Sequence, residues 1–326
     1  MTRGAAPTDV TVVVCAYTMA RWGDLVDAVA GIAAQTVRAD QVLVVIDHDD
    51  ELLARAHDGL DGVEVVASTR LRGLSGARNT AIELARGEVV AFLDDDAVPR
   101  RDWLARMLAP YDDPDVLAVG GNARPVFPGG RRPDQLAVEL DWVIGCAYRG
   151  LPEARADVRN LMGCSMSFRR SVLEELGGFA EGAGRIGALP LGCEETELCI
   201  RLGQRHPRGR VVLEPASVVD HRVTPDRTTW RYLRSRSYAE GLSKAAMAAV
   251  VGGSAATAVE RSYVTRVLPG GVRRELSRAV QGELAGWRGA AGIVTALAAT
   301  TAGYARGRFG PGSRLIREAA LARSAS

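Results

Sequence analysis

Residues 74–96 read LSGARNTAIELARGEVVAFLDDD, and this stretch decides how the chain folds. Residues 75–85 have the pattern of a helix. Residues 88–93 follow as a short, mostly apolar run, which is typical of a strand buried on both faces. Three aspartates, Asp94, Asp95 and Asp96, come directly after that run. The stretch therefore predicts a helix, a buried strand and a carboxylate cluster at the end of the strand.

Strand and helix patterns also alternate before this stretch. The predicted strands are residues 10–15, 41–46 and 63–67, and the predicted helices are residues 24–34 and 51–60. Alternation at this pace predicts an α/β fold with parallel strands and crossover helices. Ligands of such sheets bind at the carboxyl ends of the strands. Asp47 and Asp94 each follow or end a predicted strand, so we expect a binding site at that edge.

The pattern after residue 96 is less regular. Residues 122–160 are rich in Pro and Gly and predict irregular structure. The other predicted elements up to residue 213 are helices at 103–108, 171–176 and 194–203 and strands at 116–121, 162–168 and 210–213. Later segments predict helices at 228–250, 255–268 and 273–305, punctuated by Gly252-Gly253 and Pro269-Gly270-Gly271. We therefore predict an α/β domain over residues 1–226 and a mainly helical region over residues 227–326.

Charge is distributed unevenly along the chain. The net charge is +2, and the hydrophobic share of 47% is that of an ordinary globular protein. Residues 1–226 hold 25 Lys and Arg against 34 Asp and Glu, whereas residues 227–326 hold 16 against 5. The basic region suggests contact with something anionic, either a phosphate-bearing acceptor or a membrane surface. The alternative is a solvated basic face or contact with the acidic first part of the chain itself.

The cysteines and the first residues indicate the cellular compartment to expect. The chain has five cysteines, an odd number without CxxC spacing, which argues against a disulfide framework or a zinc knuckle and suits a reducing cytosol. The first apolar run, residues 10–16, has the pattern of a strand, so we expect no secretory leader.

The three aspartates favour a cation site. Carboxylates crowded at a strand end repel each other unless something positive lies among them. Asp94 and Asp96 are two residues apart, so they can point the same way and hold one hard cation together with a diphosphate. The alternative is a solvent-facing turn that caps the next helix.

Three further patterns could carry chemistry. Glu194, Glu195 and Glu197 lie in or beside the first turn of a predicted helix, where acids are favoured electrostatically, but three exceed what capping needs. A crowded carboxylate suits a general base. In residues 73–79, GLSGARN, glycines lie at the start of a predicted helix, and the backbone amides there and the guanidinium of Arg78 could meet a diphosphate. His221 follows a short strand, and a lone histidine is more often structural than a ligand.

Taken in order, these motifs resemble family 2 of the inverting glycosyltransferases, which have the GT-A fold. The resemblance covers about residues 10–225. Its segments are VVVCAYTM (12–19), Gln35-Thr36, VLVVID (42–47), residues 74–96, GCSMSFRR (163–170), GGF (177–179), EETELCIR (194–201) and EPASVVDH (214–221).

The resemblance implies a GT-A sheet, mixed but mainly parallel and flanked by helices, that binds a nucleotide-sugar donor, which we expect to be UDP-linked. The residues implied on the donor side are Ala16, Tyr17, Asp47, Arg78, Asp94 and Asp95. It also implies Mg²⁺ or Mn²⁺ as cofactor, with Asp96, Asp94 and His221 as ligands. Glu195 matches the catalytic base and Glu194 would contact the acceptor, although the base position is more often Asp.

The predicted reaction is a metal-assisted single displacement that inverts configuration. The alternatives are a retaining transferase, a sugar nucleotidyltransferase and a non-catalytic binding protein. Residues 17–21 lack the glycine-rich basic loop that a nucleotidyltransferase carries after its first strand.

We expect a carbohydrate, lipid-linked or small-molecule acceptor and no nucleic acid. We also consider peripheral membrane contact through residues 227–326 and a homo-oligomer. The apolar residues 289–305 predict a packed or interfacial helix rather than a bilayer span. The expected location is the cytoplasm, with the inner face of the membrane as the place of contact.

Overall fold

A computed structural model describes residues 9–181, 194–251 and 261–310 of the chain. Within these residues the chain forms two compact units. The first unit comprises residues 9–124, 152–181 and 194–221, and the second comprises residues 125–151, 222–251 and 261–310.

The first unit begins with four parallel strands in the order β3-β2-β1-β4. The strands are β1 (Val10–Ala16), β2 (Gln41–Ile46), β3 (Glu64–Ala67) and β4 (Val89–Asp94). The helices between them are α1 (Trp22–Ala33), α2 (Asp50–Gly59) and α3 (Leu74–Leu84). Every one of these elements lies within two residues of its predicted position. The alternation predicted the parallel half correctly because each strand and helix has a local hydrophobic period.

The other strand pairs whose register is defined are antiparallel. The predicted mixed sheet is therefore confirmed. Parallel pairs occur only among β1 to β4, so they do not predominate over the whole sheet. The further strands are β5 (Ala97–Pro99), β6 (Val116–Val126), β7 (Ala156–Asp157), β8 (Ser165–Arg169) and β9 (Arg210–Arg222). Parallel neighbours need a long crossover connection, usually a helix. Residues 127–164 contain no α-helix between β6 and β8, so these strands pair antiparallel.

Three helices accompany this half: α4 (Trp103–Leu108), α5 (Arg170–Leu176) and α6 (Glu194–Arg205). Two predictions need correction. The strand predicted at 210–213 continues to residue 222, because Val218, Val219 and His221 are buried and residues 219–221 pair with β5. Residues 122–160 are not wholly irregular, since β6 runs to Val126 and a 3₁₀ helix spans Val138–Ile144.

Three phenylalanines form the centre of the core beneath the carboxyl end of β4. Phe92 meets Phe179 edge-on at 5.4 Å between ring centroids and Phe168 at 6.5 Å. All three rings are buried. Burial of one such side chain stabilises the fold by about 1.5–3 kcal/mol. The aromatic centre thus fixes the floor on which the last residues of β4 rest.

Asn79 on α3 connects this core to the turn after α5. Its amide donates to the Phe179 carbonyl (2.8 Å) and accepts from the Phe179 N–H (2.8 Å), and both residues are buried. Gly178 has φ +74°, and a Cβ there would lie 2.4 Å from the Asn79 Oδ1 atom. The turn therefore requires glycine at residue 178 and asparagine at residue 79 together.

Asn79→Ala is expected to lower the free energy of unfolding by about 2–4 kcal/mol, because the buried N–H and C=O of Phe179 would both lose their partners. Urea denaturation followed by circular dichroism measures this loss. Asn122→Ala is the matched control, since the Asn122 amide makes a longer bond of 3.4 Å to the Pro215 carbonyl. Equal losses for the two variants would show that Asn79 has no special role.

The second unit is built mainly of helices. They are α7 (Trp230–Val251), α8 (Leu268–Val280), which directly follows a π-helical turn at Tyr263–Val267, and α9 (Ala285–Phe309). The predicted helix 273–305 is two helices, because the chain breaks at Gly282, where φ is +97°. The predicted break at Pro269-Gly270-Gly271 is wrong, since proline is tolerated in the first turn of a helix. Residues 255–260 of the predicted helix 255–268, and the predicted break at Gly252-Gly253, lie outside the described residues.

Two glycines let α7 and α9 approach closely. A Cβ on Gly241 would lie 2.1 Å from the Thr300 carbonyl oxygen, and one on Gly303 would lie 2.1 Å from the Tyr238 carbonyl oxygen. Close crossing of the two helices therefore requires glycine at both positions. The apolar residues 289–305 lie within α9. Among the helices in the described part of the chain, none combines the length and apolarity needed to cross a membrane.

Candidate active site

The carboxyl ends of β1, β2 and β4 lie side by side at one edge of the sheet. Ala16 ends β1, Asp47 directly follows β2, and Asp94 ends β4. The Asp47 N–H donates to the Ala16 carbonyl (2.8 Å), and Cys15 pairs in register with Asp94. Tyr17 follows β1 and is 46% exposed. The structure therefore brings together the strand ends at which the sequence predicted a ligand.

Asp47 fixes the loop that leads into α3. Its Oδ2 atom accepts the N–H of Gly73 (2.9 Å), the residue just before α3. Its Oδ1 atom lies 2.8 Å from Nδ1 of His48, which has φ +55°. Asp47 is buried, so its carboxylate is held in place from two sides. The loop before α3 and the ends of β1 and β2 therefore share one anchoring carboxylate.

Two of the three aspartates contact the guanidinium of Arg21, a contact that the sequence did not predict. Arg21 Nη1 lies 2.8 Å from Asp95 Oδ1 and 3.1 Å from Asp96 Oδ2. The Arg21 guanidinium also lies 5.5 Å from the centre of the Tyr17 ring. Asp95 and Asp96 are buried, whereas the Asp94 side chain keeps 30% of its surface exposed. Arg21 thus compensates part of the negative charge that the sequence placed at this edge.

His221 reaches the aspartates through strand pairing. β9 runs antiparallel to β5, and His221 lies opposite Ala97, the residue after Asp96. Its Nε2 atom is 3.3 Å from Asp96 Oδ1. Asp94, Asp96 and His221 each offer one ligand atom, and these three atoms lie within 4.8 Å of one another. The three predicted metal ligands are therefore neighbours in space.

Several observations test whether these residues suit a metal. Carboxylate oxygens are the ligands that Mg²⁺ and Mn²⁺ prefer, and imidazole nitrogen is a common metal ligand. Among the described residues, the buried atoms His221 Nδ1 and Asp95 Oδ2 have no hydrogen-bond partner. Buried polar atoms without partners are unusual and call for an ion or a water. The residues present therefore fit a divalent cation.

Burial and mutual repulsion leave the cluster electrostatically strained. Burial raises the pKa of Asp95 to about 7, with Arg21 opposing and Asp96 and Asp94 reinforcing the shift. Burial also raises the pKa of Asp94, although Arg78 acts in the opposite direction. A bound cation would relieve this strain because it favours the charged carboxylates.

Arg78 connects the aspartates to the glutamates of α6. Its Nη2 atom lies 3.5 Å from Asp94 Oδ1 and donates to the Gly163 carbonyl (2.9 Å), and its Nη1 atom lies 3.3 Å from Glu194 Oε1. The side chain is 2% exposed, and its guanidinium lies 5.2 Å from the centre of the Phe179 ring. Burial opposes charge, but Glu194 and Asp94 outweigh it and raise the pKa of Arg78. The two acidic groups therefore share one buried, charged partner.

The three glutamates at the start of α6 have different surroundings. Glu194 is held by Arg78. Glu195 Oε2 and the Arg78 guanidinium both lie beside Gly163. A Cβ atom built on Gly163 would be 3.7 Å from Glu195 Oε2 and 3.3 Å from Arg78 Nη2. Glu197 instead binds Arg201, which donates to the Leu176 and Gly178 carbonyls at the end of α5 (2.5 and 2.7 Å). Glu197 is thus structural, which leaves Glu194 and Glu195 at the site.

Sequence reasoning missed two contributors to this site. Arg21 has no motif of its own, and the only signal was an arginine five residues after the end of β1. Asn79 stands beside Arg78 in the quoted motif, yet its bonds to Phe179 depend on a turn 100 residues away. The arrangement as a whole can hold a cation at the aspartates and present a carboxylate across from it.

Known proteins resemble this chain in sequence and in fold. The family model described as glycosyl transferase family 2 matches residues 11–177. A glucosyl-dolichyl phosphate glucuronosyltransferase of Haloferax volcanii is 34% identical over 242 residues, which cover 73% of this chain and 77% of that protein.

Two solved structures extend the likeness. The mannosyltransferase PcManGT from Pyrobaculum calidifontis, in complex with GDP-Man and Mn²⁺, has a TM-score of 0.56 at 20% identity and covers 99% of this chain and 89% of its own. The structure of GalNAc-T7 with UDP, GalNAc and Mn²⁺ has a TM-score of 0.51 at 18% identity. The match covers 74% of this chain and 51% of GalNAc-T7. These likenesses confirm the predicted GT-A fold.

Proposed function

The chain belongs to glycosyl transferase family 2, and we propose that it transfers a sugar from a nucleotide-diphosphate donor to an acceptor hydroxyl with inversion of configuration. That it is a glycosyltransferase follows from the family match and from its 34% identical relative. The stereochemistry, the donor and the residue roles are the parts that we propose here.

One observation carries the proposal: Arg78 contacts both Asp94 and Glu194 (3.5 and 3.3 Å). These acids are 100 residues apart in sequence. A metal-assisted inverting transferase needs a cation for the leaving group and a base for the attacking hydroxyl within one substrate's length. The shared arginine holds the two acidic groups at that separation, and this makes it a positioning residue in our proposal.

The donor would lie along the carboxyl ends of β1, β2 and β4. We propose that Ala16 and Tyr17 contact the base, that Asp47 binds the base or ribose, and that Asp95 lies toward the ribose or sugar. Asp96, Asp94 and His221 would hold Mg²⁺ or Mn²⁺. A divalent cation at these ligands would neutralise the charge that develops on the departing diphosphate. The direct contact of Arg78 with the diphosphate, implied by the family resemblance, stays a prediction.

Glu195 is our candidate for the base. The Glu195 carboxylate accepts the proton of the acceptor hydroxyl while the hydroxyl oxygen forms its bond to the anomeric carbon. The bond from that carbon to the diphosphate oxygen breaks, and the nucleoside diphosphate leaves with the electron pair. Glu194 forms an ion pair with Arg78, which favours a binding role for it, and the base role of Glu195 is the one that the family resemblance implies. A retaining transferase is the alternative, and NMR of the anomeric proton of the product separates the two.

The acceptor is proposed from the sequence relative. The name of the Haloferax volcanii protein describes a glucosyl-dolichyl phosphate substrate. We propose a lipid-linked acceptor for this chain as well, and a location at the cytoplasmic face of a membrane. The two solved transferases were bound to GDP-Man in one case and UDP in the other, so the fold alone does not select the base.

A nucleotide sugar is expected to raise the melting temperature only when Mn²⁺ or Mg²⁺ is present. At a donor concentration one hundred times Kd the stabilisation is about 2.7 kcal/mol. A thermal-shift screen of UDP-, GDP- and dTDP-sugars, with the cation or with EDTA, measures it and tests the predicted UDP-linked donor. Nucleoside triphosphates with sugar phosphates are the comparison, because a nucleotidyltransferase would prefer them. If no nucleotide sugar stabilises the protein with either cation, the proposal is wrong.

We also propose that residues 1–226 form the catalytic domain and residues 227–326 a basic, mainly helical region. The compact units divide the chain differently, since residues 125–151 group with the C-terminal helices in the second unit. Limited proteolysis followed by mass spectrometry tests the boundary.

A further inference from the structure

An apolar groove runs between α8 and α9 in the second unit. Its volume is about 660 Å³, and its lining includes Leu268, Val272, Val280, Ile293, Val294 and Leu297. Of the described residues that line it, Arg273 alone is charged. Where exposed apolar side chains extend such a groove into one larger patch, that patch can mark an interaction site.

The apolar surface continues from the groove onto the exposed side of α9. Trp287 and Val294 are 55% and 56% exposed, and their spacing of seven residues places them on one face of the helix. Val280 and Leu284, at the turn between α8 and α9, are 81% and 77% exposed. We call these four residues and the groove the α8–α9 face.

The charged side chains of α9 itself are all positive. α9 contains Arg288, Arg306 and Arg308 and no acidic residue, and residues 289–305 carry no charge at all. Arg273 lies in the groove itself. Glu283, the acid in the turn, is bound by Arg278 (2.7 Å). An apolar face flanked by arginines is the arrangement of helices that lie in the interface of an anionic membrane.

We propose that the α8–α9 face docks the protein on the surface of an anionic lipid bilayer. Val280, Leu284 and Val294 would enter the boundary between headgroups and acyl chains, and the indole of Trp287 suits the same depth. Arg306 and Arg308 would meet the lipid phosphates, and so would Arg288, whose side chain is 69% exposed although it also pairs with Asp134 (3.3 Å). The inference depends on the second unit alone and does not rest on the donor, the acceptor or the cation.

A second copy of the chain fits this face less well than a bilayer. In a two-fold dimer the same patch meets itself, so the arginines of the two copies would come together. No acidic side chain on α9 could offset their repulsion. A bilayer with anionic headgroups supplies the negative charge that this surface lacks, and this decides between the two occupants.

The test is cosedimentation of the full-length protein with vesicles of phosphatidylcholine, with and without phosphatidylglycerol. We expect binding to the anionic vesicles, weakening as salt is raised because the phosphate contacts are screened. The double variant Trp287→Glu/Val294→Glu should lower the partition coefficient by about tenfold or more. Both side chains are more than half exposed, so the variant should fold, which circular dichroism checks.

The matched control is Leu84→Glu, which places a charge on a 43% exposed leucine at the end of α3 in the first unit. It should bind as the wild type does. A second probe avoids the apolar residues: Arg288→Gln, Arg306→Gln and Arg308→Gln should each weaken binding about fivefold on anionic vesicles and have no effect on neutral ones. Wild-type protein that stays in the supernatant with anionic vesicles would overturn the proposal. So would a double variant that binds normally, or one that instead converts a dimer to a monomer in analytical ultracentrifugation.

Discussion

Glu195→Gln is expected to reduce kcat by about 10²–10⁴-fold, which is the usual contribution of a general base. The amide matches the carboxylate in size but cannot accept the proton of the attacking hydroxyl. Donor binding should change little, because Glu195 lies on α6 and the proposed donor contacts lie on the ends of β1, β2 and β4. The measurement is a steady-state transfer assay beside a thermal shift with donor and Mn²⁺. The informative result is a large loss in kcat without a matching loss in donor affinity.

Two glutamates of the same helical turn serve as comparisons for that variant. Glu197→Gln should stay within about threefold of the wild type, since its carboxylate binds Arg201 and its amide can keep one of those bonds. Glu194→Gln breaks the ion pair with Arg78, so its effect should appear in acceptor KM and in stability rather than in kcat alone. Should Glu194→Gln lose the larger part of kcat while Glu195→Gln retains it, the base would be Glu194.

The first half of the fold could be predicted from sequence because its information is local. β1, β2 and β4 are continuous apolar runs, and each helix between them has its own period. Asp47 and Asp94 could therefore be placed at one edge from the strand ends alone. The antiparallel half could not be predicted in this way, since the pairing of β8 with β4 and β6 depends on contacts across 40 to 80 residues.

The site residues also divide into those that a local sequence pattern predicts and those whose position depends on long-range contacts. His221 was implied by family resemblance, but its position beside Asp96 follows from the register that pairs it with Ala97. No local pattern contains that register. Arg21 had no signal because an arginine after a strand is common, and only the fold shows that its guanidinium lies between two buried carboxylates. Arg78 was predicted to meet a diphosphate, and the structure adds its bonds to Asp94 and Glu194.

The first turn of α8 illustrates a different difficulty. Pro269-Gly270-Gly271 has the composition of a helix end, yet α8 includes all three residues. A Cβ on Gly271 would lie 2.8 Å from the Glu139 carboxyl carbon, so glycine is present for close packing and not to end the helix. Glycine composition alone cannot separate these two uses, because one concerns backbone conformation and the other concerns what lies opposite.

Asp96→Asn is expected to remove the dependence of donor binding on Mn²⁺ and to weaken donor binding in its presence by about a hundredfold or more. Loss of a group that only supports a metal ligand already costs about 10–100-fold in affinity or activity, and Asp96 would be a ligand itself. The change also removes one of three crowded carboxylates and leaves the ion pair between Arg21 and Asp95 (2.8 Å). The melting temperature of the cation-free protein should therefore not fall, which separates loss of a ligand from loss of the fold.

The control for this variant is Asp220→Asn, which lies next to His221 on β9 but forms an exposed ion pair with Arg100 (3.0 Å). It should titrate with Mn²⁺ as the wild type does. His221→Asn removes the third ligand and should shift the midpoint of the Mn²⁺ titration in the same direction as Asp96→Asn. A midpoint that is unchanged in both Asp96→Asn and His221→Asn would show that the cation, if one is used, is held elsewhere. The carboxylates after β4 would then be held by Arg21 and Arg78 alone, and the leaving group would need a different source of positive charge.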